Sequence, residues 1–148
     1  MELNVTTKTG SHTDMPNTKY GRYLFQHVEV SEWFGDYIGF TGGRDFNSSI
    51  STIYLPVYKP AFPEQSPHSH DFDEYLSFFG MHKDGIKDLG AEVEICIGEE
   101  QEKHVFNKPT TLFFPKGLLH CPLRYTKVDK PFMIVHIWLT GQESWGKR

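Results

Sequence analysis

The sequence predicts an all-β fold, a sandwich or barrel of short antiparallel strands of the jelly-roll kind, from three observations. Apolar and polar side chains alternate with a period of two in segment after segment. Gly (13) and Pro (9) punctuate a chain of 148 residues that is 15% aromatic, with 12 Phe and 7 Tyr. No window carries a sustained helical period, and no internal repeat is visible. Short strands separated by turn residues follow from that composition, because β-branched and aromatic side chains fit a pleated, half-buried surface.

The elements can be taken in chain order. Residues 1–20 are polar and aperiodic and read as an N-terminal arm, free to dock on a partner subunit; residues 21–148 form the barrel domain. "YLFQHVEV" (Tyr23 to Val30) reads as a strand. "FGDYIGFTGGRDFN" is turn-rich, with a short strand and loops around Gly42 and Gly43. "SISTIYLPVYKP" (Ser49 to Pro60) is a strand with Ile53, Leu55 and Val57 on one face and Thr52, Tyr54 and Tyr58 on the other. "EYLSFFG" is the next strand. "AEVEICIG" alternates Val93, Ile95 and Ile97 against Glu92, Glu94 and Cys96, the pattern of a half-buried antiparallel strand. "GEEQEK" turns it into "HVF" as a hairpin. "TTLFFPKG", "HCPLRYT" and "PFMIVHIWL" (Pro131 to Leu139) close the set, giving about eight to ten strands.

Length and charge narrow the function. One domain of this size buries a core without staples. The formal charge is -4 and no basic cluster follows any element, so nucleic acid is not an expected partner. No apolar run suits a signal peptide or a membrane span, so a cytoplasmic location without membrane contact is expected. Cys96 and Cys121 have neither zinc-knuckle nor CxxC spacing and read as reduced, ordinary thiols.

The chemistry gathers in "PHSHDFDEYLSFFG". In a strand, residues i and i+2 share a face about 6.6 Å apart, so His68 and His70 can converge on one ion. Glu74 reaches the same point if the strand resumes after a bend at "DFD". A fourth ligand is expected from "FFPKGLLHCPL", where Pro115 and Gly117 make a tight turn before His120, and an antiparallel barrel can set the two segments side by side. Such a nitrogen and oxygen set suits one divalent transition metal, Fe, Mn, Ni, Zn, Co or Cu.

His68-x-His70-x3-Glu74 followed by Gly80 resembles the first motif of the cupin superfamily, and Pro115-x-Gly117-x2-His120 resembles its second. Chance would produce each motif about 0.03 to 0.04 times in a chain of this composition, and both together about once in a thousand. The resemblance covers residues 50–140. It implies a cupin-type jelly-roll barrel with His68, His70, Glu74 and His120 as metal ligands. The chain departs from the family pattern at Phe62 and Pro109, where the motifs' leading glycines stand, at Arg124, where the second motif ends in Asn, and at Gly80, which comes one position early. None of these departures removes a ligand.

Inward positions on neighbouring strands should line the site. Tyr54, Tyr58, Arg124 and His136 are the polar candidates, with Leu76 and Phe78 as cavity walls; Arg124 shares the His120 face by the period of two and is placed to meet a substrate carboxylate. Tyr75 should point away from the ion. Cupin-type lyases acting on dimethylsulfoniopropionate carry a tyrosine where Leu76 stands here, and the polar set of the superfamily's sugar-phosphate isomerases is not matched either. His12, His27, His82 and His104 read as exposed or turn histidines, "GEEQE" as a solvated hairpin tip, and Trp33, Trp138 and Trp145 as packing or dimer contacts.

The expected function is that of a metal-dependent enzyme acting on a small oxygen-rich molecule, a dioxygenase (an oxidoreductase) first, then an isomerase or lyase. The alternative is a non-catalytic small-molecule binding or sensing module. A homodimer is expected from the resemblance.

Overall fold

In a computed structural model, which describes residues 18–142, ten strands form two antiparallel sheets around one core. The strands are β1 (Val30–Glu32), β2 (Gly35–Phe40), β3 (Ser51–Val57), β4 (Ala61–Glu64), β5 (Glu74–Gly80), β6 (Ala91–Ile97), β7 (Glu102–Phe106), β8 (Thr110–Phe114), β9 (His120–Val128) and β10 (Phe132–Trp138). The six-stranded sheet runs β1-β2-β3-β10-β5-β8 and the four-stranded sheet β4-β9-β6-β7. This is the jelly-roll architecture read from the sequence. Most of the expected arm, His12 and Trp145 lie outside the described residues. No helix among the described residues is long and apolar enough to cross a membrane.

Period-two alternation carries directly into burial. On β3, Ile53, Leu55 and Val57 are buried; on β6, Val93 and Ile95 are fully enclosed while Glu92, Glu94 and Cys96 keep partial contact with solvent. The β6–β7 hairpin pairs Ile95 with His104 and Ile97 with Glu102 around the acidic tip. The central strand of the larger sheet is β10, which joins β3 on one side and β5 on the other in unbroken register from Phe132 to Trp138. Its apolar run is therefore hydrogen-bonded along both edges, as a central strand requires.

Three local expectations change. The strand expected at 23–30 shrinks to its last residue: Gly21–Tyr23 form a 3-10 turn and residues 24–29 lack regular structure. Phe25 and His27 still turn inward on alternate positions, with His27 Nδ1 3.2 Å from the Gly39 carbonyl and its ring edge-on to Tyr54. The segment is thus extended without being paired. The Gly42–Asp45 stretch, expected as a loop, makes one turn of α-helix, α1. Finally, "AFPE" forms β4, which the flanking prolines concealed; Pro63 cannot donate to a ladder, and β4 accordingly lies at a sheet edge with an irregular register against β9.

Candidate metal centre

The two motifs meet through the backbone. His68 and His120 form an isolated antiparallel bridge, with N–H to carbonyl distances of 3.0 and 2.9 Å in the two directions. Gly117 adopts φ +86, which only glycine takes without strain, and from this turn its N–H donates to the His70 carbonyl at 2.9 Å. The Lys116 N–H donates to Asp73 Oδ1 at 2.8 Å, so the "DFD" bend is the clamp between the two motif loops.

These bonds bring three imidazoles together. One ring nitrogen from each of His68, His70 and His120 lies within 4.8 Å of the others, and the ring centroids are 4.5 to 5.3 Å apart. Glu74, buried at the start of β5, sets Oε1 3.2 Å from His120 Nε2 and Oε2 3.8 Å from His70 Nε2. Burial by itself pushes the Glu74 carboxyl up. The polar contact with His120 and the charges of His136, His120 and His70 together outweigh it and hold the carboxyl below the ordinary carboxylate range.

The donor set fits a transition-metal ion. His120 Nδ1 lies 2.9 Å from the Leu118 carbonyl, and His68 Nδ1 lies 3.3 Å from that of Ser66. A carbonyl only accepts, so in neutral imidazole these contacts put the proton on Nδ1 and leave the Nε2 lone pair to face the centre. His120 Nε2 is buried and makes no hydrogen bond of good geometry, with Glu74 Oε1 3.2 Å away. A buried acceptor in that state is costly unless something fills the space before it. The ring of Phe114 stacks on His120 at 4.1 Å and 2°, which fixes the imidazole plane.

The centre opens into a cavity of about 290 Å³ between the sheets. His136 lines it as expected, its ring stacked on Trp138 at 5.2 Å, and Leu76 is part of the wall. Phe78 is not: it lies two residues deeper along β5, packed against Phe106 and Phe132. Tyr54 lies on the opposite face of β3, and Tyr58 stands beyond the strand, 67% exposed. Arg124 is also outside. On β6, Ile95 pairs with Leu123 but Ile97 with His120, so β9 advances three residues against two. That bulge, at Cys121 with φ +79, inverts the alternation. Leu123 and Tyr125 turn inward, and the Arg124 guanidinium sits outside over the Phe62 ring at 4.1 Å.

Several lining residues escaped the sequence reading, Trp33, Glu64, Cys121 and Trp138 among them. Trp33 and Trp138 border the cavity rather than serving only as packing, Cys121 lines it as a buried thiol, and Glu64 enters it from the end of β4. The bulge hid Cys121 and the concealed strand hid Glu64. Of the other described histidines, His82 bonds within its turn and His104 is exposed beside Glu102, as read, whereas His27, read as exposed, turns inward against the Gly39 carbonyl and Tyr54.

No protein-family model matches the chain, and no curated protein matches it. Solved structures do. Oxalate decarboxylase, in a structure concerned with its substrate binding mode, superposes with a TM-score of 0.54 at 12% identity over 94% of this chain and 31% of its own. A mutant of Bacillus subtilis oxalate decarboxylase gives 0.53 at 12% identity over 93% and 30%. An iron(II) form of HppE gives 0.45 at 11% identity over 70% and 48%, too slight a likeness to argue from. The chain thus spans less than half the length of these proteins. The likeness to oxalate decarboxylase establishes the fold: the chain is a jelly roll of the cupin type.

Proposed function

We propose that the chain is a metal-dependent cupin enzyme, in which His68, His70, Glu74 and His120 hold one divalent transition metal and a small oxygen-rich molecule enters the cavity beside it. The observation that carries this reading is the buried His120 Nε2, which faces the Glu74 carboxylate without a hydrogen bond of good geometry, in a cluster where two other imidazoles converge. Bacillus subtilis oxalate decarboxylase has Mn(II) centres, and its likeness in fold supports a metal in this barrel.

The ion would act as a Lewis acid toward a chelating hydroxy-carbonyl, diketone or enediol, or support oxygen chemistry if it is redox-active. The chain's own residues do the rest. Carbonyl contacts from Leu118 and Ser66 hold two imidazoles in the ligating tautomer, and Phe114 fixes the plane of one of them. Apolar side chains, Ile53, Leu55, Leu76 and Leu123 among them, exclude water and strengthen each polar contact inside. His136, on the wall, is placed to hold or deliver a proton. Dioxygenation is the preferred reaction class, with isomerisation or elimination next. Oxygen uptake by iron- or manganese-loaded protein with a panel of diketones, phenols and hydroxy acids tests it: consumption with any member supports it, and substrate conversion without oxygen uptake shifts the assignment to isomerase or lyase.

Pairing of two copies belongs to the same proposal. Its support is the outer face of the six-stranded sheet: Met133, Val135 and Ile137 on β10, Tyr75, Ser77 and Phe79 on β5, and Thr111 and Phe113 on β8 present no charged group. Tyr75 and Phe113 stack at 4.8 Å while remaining 36% and 47% exposed, the kind of apolar patch that marks an interface.

A further inference from the structure

The cavity has two unlike ends. Glu74 and the histidines stand at one, on the level where Glu74 pairs with Trp138 and Trp138 with Ser51 across β5, β10 and β3. The tight turn between β1 and β2, Trp33 and Phe34, lines the cavity from the other side. The register of β2 on β3, with Gly39 opposite Ile53 and Ile38 opposite Tyr54, carries this turn toward Leu55 and beyond. Leu55 is four residues from Ser51, about 13 Å along an extended strand.

The turn is held in place from below. Gly35 takes φ +137, which glycine adopts without strain, and a Cβ there would stand 3.0 Å from Leu55 Cδ1. Phe34 packs against the core, its ring stacked on the buried Tyr37 at 5.5 Å and 16°. Trp33 is left at the mouth: it lies edge-on to Phe34 at 5.5 Å and is 70% exposed, whereas the other residues that line the cavity are buried or half-buried. The second indole of the cavity, Trp138, is buried with the His136 ring stacked on it.

We propose that Trp33 determines specificity, and that the site takes an elongated ligand with an oxygen chelator at one end and an aromatic ring at the other, packed on the Trp33 indole. The inference rests on the metal-centre reading above and deepens it, because the chelating end needs the ion. A ring laid against an exposed indole removes apolar surface of both from water and adds the offset-stacked or edge-to-face attraction of an aromatic pair. A short chelator held at the histidine end makes no such contact. Ile53, Leu55, Leu76 and Leu123 suit an apolar middle between the two ends.

Two probes share one chelating group and differ in the ring: 1-phenyl-1,3-butanedione and 2,4-pentanedione. Their affinities for metal-loaded protein are read by calorimetry in the wild type, Trp33→Phe and Trp33→Leu. The wild type is expected to bind the phenyl probe more tightly. Trp33→Leu should shrink that advantage about five- to tenfold, Trp33→Phe should keep most of it, and the affinity for pentanedione should be the same in all three. Because the side chain is largely exposed, both variants are expected to fold, which circular dichroism and unchanged metal content verify. An advantage unchanged in Trp33→Leu, an equal loss in both variants, or no binding of either probe to metal-loaded protein would each overturn the inference. So would a Trp33→Leu protein that keeps the advantage but changes its sedimentation, which makes Trp33 a subunit contact. If the protein takes up no metal at all, it is the metal-centre reading that fails; if metal and pentanedione bind and the ring adds nothing through Trp33, only the role of Trp33 fails.

Discussion

His120 Nε2 and Glu74 Oε1 face each other at 3.2 Å in the interior of the barrel, from β9 and β5, strands of different sheets that the β8–β9 turn brings together. The nitrogen makes no hydrogen bond of good geometry, and the carboxyl is held below its ordinary range by His120 and the neighbouring imidazoles against the opposing pull of burial. A cation between them relieves both conditions.

The carboxyl's lowered range gives stability a sign with pH. A carboxylate whose folded range lies below its unfolded one contributes stability that is present above the unfolded value, near 4.5, and is lost as pH falls through the folded one. Thermal melts of metal-free protein taken from pH 6 downward should therefore fall below that value, and Glu74→Gln should remove this contribution and flatten the acid limb. Metal-loaded protein should release its ion as acid protonates the imidazoles.

Tyr125 predicts the opposite limb. Burial, with Cys121 beside it, pushes its hydroxyl well above the ordinary tyrosine range. The folded state keeps the proton longer than the unfolded chain does, so stability is full below about pH 10 and is lost as pH rises beyond it. Tyr125→Phe keeps the ring against Phe132, at 5.4 Å, and should remove that alkaline loss in melts taken from pH 8 to 11.

Phe114 should act on the metal through His120. Phe114→Ala empties a fully buried position and is expected to cost about 3 to 5 kcal/mol in denaturant unfolding. Phe114→Leu keeps most of the volume but loses the stacked plane, and metal affinity by competition with a chelator should fall about 10- to 100-fold. An unchanged affinity in that variant would mean that the stack packs the core without orienting the ligand.

Phe113 reports on pairing. Placed on the uncharged outer face and away from the cavity, Phe113→Glu should turn a dimer into a monomer in analytical ultracentrifugation while metal content stays the same. A wild-type protein that sediments as a monomer removes this part of the proposal.

The strands and the spacings within each motif were legible because each depends on neighbours in sequence. Alternation places Val93 and Ile95 inside whatever the rest of the chain does, and the spacings of His68, His70 and His120 survive because the "PKG" turn and the "DFD" bend are local structures. The cavity wall was less legible because it depends on register. One extra residue at Cys121 sends Arg124 out and Leu123 in, and nothing in "HCPLRYT" announces it. Glu64 stayed hidden because its strand is four residues long and contains a proline. Phe78 has the right parity but the wrong depth, which only the sheet's packing fixes.

Metal stoichiometry tests the central claim most directly. Elemental analysis of the purified protein beside His120→Ala, with circular dichroism to verify folding, should find about one equivalent of a transition metal in the first and a loss on the order of 100-fold in affinity in the second. A folded His120→Ala protein that keeps its full equivalent of metal would contradict the centre described here.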